Sequence, residues 1–297
     1  MIILVLLGLL GCRKSPAANP EFTDAASYLV RIFDSGTDAE RAFGIRALER
    51  EIYLGMDIEG SNVLDRSLIP APLGDEDVAD LDHPGRDLDD NLAMAVGIHN
   101  TYPPDEMAPV LLLTDQTPVE PTSDIYERSF LEGQDCWLDR ECAVLRTVND
   151  VNRKNIAYSA RYDLYKDYRW VDLGLPDPSE VEDGEEAVNE GEPRWAVQVR
   201  SWVIEPTYGD GITIYQSFAM EVWVPRDCRG FVRDGSEENR DGGDWTADSC
   251  AYGTARMQAM WFETEIASSN DQDLIEATTR GGMNAGMEAF DKWVEEN

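Results

Sequence analysis

The chain has 297 residues and a formal net charge of −34, with 59 Asp and Glu against 25 Lys and Arg. Such a surface repels polyanions, which disfavours nucleic-acid binding. Hydrophobic residues make up 42%, with eight Trp and eleven Tyr, which excludes a globally disordered chain and allows a large core.

Residues Ile2 to Leu10 are apolar apart from Gly8. The run is shorter than the roughly 20 helical residues needed to span a bilayer core. It fits the apolar region of a secretory signal. The run ends in Leu9-Leu10-Gly11-Cys12, which resembles the lipobox of bacterial lipoproteins. That resemblance implies cleavage after Gly11 and lipid on Cys12, with the acyl chains anchoring the chain to a membrane. The polar stretch Arg13 to Pro20 then reads as a tether of about 25 Å. The expected organisation is a signal peptide over 1–11, a lipidated tether over 12–20 and a single α+β domain over 21–297. The resemblance places the protein in the bacterial cell envelope. Arg13, rather than Asp, after the lipidated Cys points to the outer membrane.

Four cysteines remain once Cys12 is assigned to lipid, an even number that suits an oxidising compartment. The local pairings Cys136–Cys142 and Cys228–Cys250 are favoured among three connectivities. In the chain-entropy model these loops stabilise by about 2.4 and 3.4 kcal/mol. A zinc site is the rival reading, weakened by the long Cys spacing and the lack of a nearby His.

In chain order, Thr23 or Asp24 caps a helix to about Phe33, and Asp34-Ser35-Gly36 breaks it. Thr37-x-x-Glu40 resembles a capping box that starts a second helix to about Leu54. Ile45, Leu48 and Ile52 share one face of it. The acidic stretch Leu73 to Asp90 reads as an exposed loop. Leu92 to His99 alternates with period two. With the turn at Asn100 to Pro104 and the apolar run Val110 to Leu113 it reads as a hairpin. A short helix is expected near Ser123 to Phe130. Strands follow at about Ala143 to Asn149, Ile156 to Tyr165, Trp195 to Ile204, Ile212 to Val224 and Met257 to Ile266. Ile212, Ile214, Phe218, Met220, Val222 and Val224 fall on one face by simple alternation. Pro176 to Pro193, with eight acids and no base, reads as a second exposed loop. The chain ends in a helix from about Asp273 to Glu295, with Met283, Met287, Phe290 and Val294 in one stripe. Gly281, Gly282 and Gly286 each cost it about 1 kcal/mol of helix propensity. That cost is tolerable where a helix backbone approaches a sheet closely.

The order is two helices, about seven antiparallel strands in a curved sheet, and a long C-terminal helix. It resembles the helix-grip (START-like) fold in topology. A LolA/LolB-like or lipocalin-like sheet with a helix is the alternative. The helix-grip resemblance implies an apolar pocket beside the last helix, where Met283, Met287 and Phe290 would line it.

No HExxH, GxSxG, P-loop or dinucleotide glycine pattern occurs. Asp34-Ser35-Gly36-Thr37 resembles an aspartic-protease signature. It occurs once and between helices, whereas that chemistry needs two carboxylates sharing a proton. His83 and His99 read as loop and turn residues. Asp75, Asp77, Asp80 and Asp82, and the run Asn239 to Asp244, lack the ligand order of a calcium loop. No catalytic residue, metal site or cofactor is expected. The expected role is a non-enzymatic envelope interaction protein, held at the membrane through lipid on Cys12. The alternative is a carrier or sensor of an apolar ligand.

Overall fold

The computed structural model describes residues 22–56, 69–154, 159–181, 187–226, 253–266 and 272–297. Cys12, the Cys228–Cys250 pair and the run Asn239 to Asp244 lie outside the described residues.

Helices α1 (Phe22–Arg31) and α2 (Asp38–Met56) stand where two helices were expected and pack against each other. The capping box is present: Thr37 N–H donates to Glu40 Oε2 at 2.6 Å, and Glu40 N–H donates to Thr37 Oγ1 at 3.2 Å. The two helices approach closely at Gly44, where a Cβ would sit 2.8 Å from Leu29 Cδ2. The acidic segment after α2 is not simply an exposed loop. Val78, Leu81 and Leu88 are buried in the main core, and Asp77 accepts from the Gly74 N–H. A buried apolar side chain every few residues pins the segment to the sheet while its other acids face water.

Strands β1 (Leu92–Asn100), β2 (Ser123–Glu132), β3 (Leu145–Lys154), β4 (Ser159–Asp172), β5 (Trp195–Trp202), β6 (Thr207–Tyr208), β7 (Ile212–Pro225) and β8 (Thr254–Ile266) build one antiparallel sheet. Its order among the described residues is β1-β8-β7-β5-β4-β3-β2, with β6 paired to β7 at the side. Helix α3 (Pro104–Met107) lies between β1 and β2, and helix α4 (Gln272–Glu296) ends the chain. The fold is α+β: N-terminal helices, a curved antiparallel sheet and a long C-terminal helix, in the helix-grip arrangement.

Two local expectations are overturned. The apolar run Val110 to Leu113 forms no hairpin with β1. Residues Ala108–Leu112 coil into a 3₁₀ turn that buries Val110 and Leu111, and β1 pairs with β8 instead. Pro104 starts α3, a position that tolerates the missing N–H. Ser123 to Phe130 is not a helix but the strand β2 at the sheet edge. Its buried Arg128 hides the alternation from a reading based on polarity.

The sheet is covered on both faces. On one face, α1 and α2 bury Leu29, Phe33, Ile45 and Leu48 against Val222, Val224, Met257 and Trp261. On the other, α4 lies along β1: Asn100 Nδ2 donates to the Met287 carbonyl at 2.9 Å, and the Arg280 guanidinium donates to the Ala95 carbonyl. The single apolar face expected of β7 is split between them. The register slips between Ile214 and Gln216, a β-bulge. An extra residue reverses which side chains point where. Ile212 and Ile214 face α4, whereas Phe218, Met220, Val222 and Val224 belong to the core under α1 and α2.

Cys136 and Cys142 are joined by a disulfide, with 5.4 Å between Cα atoms, in the connection from β2 to β3. The loop it closes holds Trp137, fully buried and stacked on Trp170 at 5.2 Å. No helix among the described residues is long and apolar enough to cross a membrane.

Candidate functional site

Between α4 and the sheet lies a partly open cavity of about 140 Å³. Met283, Met287 and Phe290, the three residues expected to line a pocket, all stand in its wall. The glycines expected to allow close approach to the sheet act differently. A Cβ at Gly286 would meet only Glu120 Oε2 at 3.7 Å and Val119 O at 3.8 Å, and one at Gly281 would meet nothing within 4 Å. Gly282 and Gly286 instead leave room, because both border the cavity.

The cavity floor has a polarity gradient along the strands. One end is mostly apolar, formed by Ile212, Ile214, Phe262 and Ile266 with Thr264 among them. At the other end, Glu221 Oε1 accepts from Arg256 Nε at 2.9 Å and from Trp223 Nε1 at 2.5 Å. The Arg256 guanidinium is held between the rings of Trp223, 4.7 Å away, and Phe290, 4.3 Å away. Beside them Arg128 donates to Asn149 Oδ1 at 2.8 Å, to Tyr168 Oη at 2.8 Å and to the Leu111 carbonyl. Burial raises the pKa of Tyr168, against the pull of Arg128 and Lys166, so its hydroxyl stays protonated. Between the ends, Lys166, Ser201, Ala219 and Met260 form one row across four strands. Lys166 Nζ stands 3.9 Å from Glu120 Oε1 and 5.7 Å from the Tyr126 ring centroid.

Alternation found the three apolar residues of α4 but not these polar ones. A buried Arg on a strand breaks the hydrophobic pattern and reads as an exposed position. The detectable signal was the excess itself: Arg128, Lys166 and Arg256 sit inside runs otherwise patterned for burial.

The lone Asp34-Ser35-Gly36-Thr37 motif lies elsewhere, on the far face of the sheet. Asp34 Oδ1 accepts from Arg146 and Arg169 at 2.8 Å each, and Oδ2 accepts from Arg200 at 2.8 Å. Arg200 also reaches Asp80 at 2.7 Å and Asp167 at 3.2 Å. Burial pushes the Asp34 carboxyl up, but Arg169, Arg200 and Arg146 outweigh it and hold the pKa at about 2. Asp167, more deeply buried in the same cluster, is raised by desolvation against the pull of Arg146 and Arg200. The cluster fastens the α1–α2 turn to β3, β4 and β5. All of Asp34's carboxylate oxygens are engaged by guanidinium groups, which leaves a fastener rather than a protease-like dyad.

His83 Nδ1 accepts from the Gly85 N–H at 3.2 Å, and its ring meets Phe218 edge-on at 5.6 Å. His99 lies one residue before the end of β1, with its Nδ1 buried and without a hydrogen-bond partner among the described residues. The two histidines share no site. Asp77 and Asp80 are committed to Gly74 and Arg200, and no group of acids, His or Cys among the described residues could hold a metal ion.

No protein-family model matches the chain, and no curated protein matches it. Solved structures do. A protein from Thermus thermophilus is 12% identical, with 69% of this chain and 98% of that one covered and a TM-score of 0.36. A Streptomyces aromatase/cyclase is 12% identical, with 69% and 94% covered and a TM-score of 0.35. The human StarD13 lipid transfer and protein localization domain is 8% identical, with 69% and 77% covered and a TM-score of 0.33. Likeness at this level is to an outline of strands and helix, not to a site.

Proposed function

We propose that this protein is a non-catalytic binder of a small amphipathic molecule, which it holds between α4 and the sheet. The observation that carries this reading is the cavity of about 140 Å³, graded from apolar at Ile212 and Phe262 to polar at Glu221 and Arg256. An apolar cavity of about 150 Å³ holds one benzene-sized molecule. Drug-sized ligands need roughly 300 Å³ or more. The occupant is therefore a short chain or single ring with a polar head, or the end of a longer chain. A fixed site of that size suits a carrier or sensor.

The Leu9-Leu10-Gly11-Cys12 sequence supports anchoring of the protein in the bacterial envelope by lipid on Cys12. The anchor would keep such a binder close to membrane-derived molecules. Mass spectrometry of the membrane fraction is expected to find acyl chains on Cys12 and no Met1; an unmodified Cys12 there would remove the anchor from the proposal.

The binding reading is tested with Gly286→Leu in the full chain carrying Cys12→Ser. The new Cβ meets its neighbours at ordinary van der Waals distance, and the Leu side chain fills the cavity while improving helix propensity by about 1 kcal/mol. Hexanol is expected to bind the parent protein saturably at one site, followed by tryptophan fluorescence. Gly286→Leu is expected to fold normally and lose that binding. Equal binding by both proteins would overturn the cavity as the site.

A further inference from the structure

Six ionisable side chains other than tyrosine stand in the cavity wall: Arg128, Arg153, Lys166 and Arg256 against Glu120 and Glu221. Four cations therefore face two carboxylates, in a chain whose formal net charge is −34. This cavity is a positive enclave inside an acidic protein. Charges that merely stabilise a fold would be matched there, because an unbalanced charge costs most where water is excluded.

The imbalance can be traced to particular groups. Glu221 serves Arg256 through Nε and Nη2. Arg256 Nη1 is buried without a hydrogen-bond partner, in a side chain only 4% exposed. Arg128 is hydrogen-bonded throughout to neutral acceptors, so no carboxylate cancels its charge. Glu120 is shared between Arg153, at 3.7 Å, and Lys166, at 3.9 Å. Lys166 has three donors, and among the described residues it makes long contacts alone, to Glu120 at 3.9 Å and to the Tyr126 ring at 5.7 Å, with a side chain 16% exposed. Its row in the sheet lies midway between the polar and apolar ends of the floor.

We infer that the ligand of this cavity is an organic anion, a short aliphatic or aromatic acid, whose acidic group is received by Lys166 and whose apolar part lies toward Ile212, Ile214 and Phe262. This rests on the binding function proposed above and adds the charge of the ligand to it. The acid supplies the missing negative charge and takes up the unused donors of Lys166. Its apolar portion covers the Met283 and Phe262 side chains of the wall. An amine of the same shape would meet the ammonium of Lys166 and be rejected. A neutral alcohol would fill the space but leave the charge unbalanced.

The test compares hexanoate, hexanol and hexylamine by titration calorimetry, using the full chain with Cys12→Ser at pH 7 and low ionic strength. Hexanoate is expected to bind at least tenfold more tightly than hexanol, and hexylamine not at all. Lys166→Met is expected to abolish the preference for hexanoate, bringing the ratio of hexanoate to hexanol affinity in that variant to about one. Equal affinities for hexanoate and hexanol, or a preference that survives in Lys166→Met, would overturn this inference and leave the binding function standing. Binding of none of the three would overturn both.

Discussion

Asp34 and Arg200 are separated by 166 positions in the chain, yet Arg200 Nη2 donates to Asp34 Oδ2 at 2.8 Å. The contact ties the turn between two helices to the middle of the sheet. Removing one partner of an enclosed charge pair leaves the other uncompensated, which costs about 3–5 kcal/mol. Asp34 is partly solvated, with a side chain 30% exposed, so Asp34→Ala is expected to cost about 3 kcal/mol. Asp150→Ala, which removes the partner of the exposed Arg161, is expected to cost less than about 1 kcal/mol. Urea unfolding of the two variants decides the matter, and equal midpoints would show that the cluster does not fasten the fold.

The stability of the protein is expected to fall in two steps on acidification. Burial, helped by the positive Arg226, lowers the His99 pKa from 6.5 to about 4. Above pH 6.5 the folded and unfolded states both hold a neutral imidazole. Between 6.5 and 4 the unfolded chain takes up a proton that the folded chain refuses, so stability falls as pH falls and this loss stops below about 4. The total is about 3 kcal/mol. The second step belongs to Asp34, whose folded pKa of about 2 lies below its ordinary 3.8. Its contribution is full above pH 4 and is lost as pH falls toward 2. The raised carboxyl of Asp167 acts with the opposite sign and above pH 3.8, so it offsets part of the upper step and leaves the Asp34 step intact. Urea midpoints against pH are expected to lose the upper step in His99→Gln and keep the lower one. An upper step that persists in that variant would assign it elsewhere.

Met287 is 2% exposed and borders the cavity. Met287→Ala is expected to destabilise the ligand-free protein by about 3 kcal/mol, because the side chain is deleted beside space that is already open. The enlarged cavity is expected to take a longer chain. Octanol should therefore raise the thermal midpoint of the variant more than that of the parent, through mass action on the folded state. An equal rise in both proteins would show that Met287 does not limit the cavity.

Reduction of Cys136–Cys142 releases a loop of seven residues, worth about 2.4 kcal/mol in the chain-entropy model. The effect is local to Trp137, whose carbonyl accepts from Trp170 Nε1 at 3.0 Å. The double replacement Cys136→Ser with Cys142→Ser is expected to lower stability by that amount and weaken the near-ultraviolet dichroism of the stacked tryptophans. An unchanged tryptophan signal would show that the loop holds its shape without the bond.

Local signals in the chain were readable to different depths. The capping box at Thr37 and Glu40, the final helix and the strands around Trp195 and Met257 follow from patterns within a few residues of one another. The pairing of β1 with β8 joins Leu92 to Phe262, and no local pattern carries it. The strand at Ser123 was obscured by Arg128, which is buried because Asn149, Tyr168 and the Leu111 carbonyl receive its donors from three different parts of the chain. The same cause hid the polar half of the cavity. Met283, Met287 and Phe290 were readable because they repeat along one helix, whereas Lys166, Glu221 and Arg256 come from three strands and meet only after the sheet is assembled.

The bulge beside Tyr215 has a consequence for how the sequence of β7 can change. Even-numbered positions face the cavity before it, and odd-numbered positions face the cavity after it. The strand is thus geared, with one residue setting the phase between its two halves. Ile212 and Ile214 can be exchanged to reshape the apolar end of the cavity without touching the layer beneath α1 and α2. Loss of a single residue at the bulge would mesh the halves out of step, turning one set of side chains to the wrong side of the sheet.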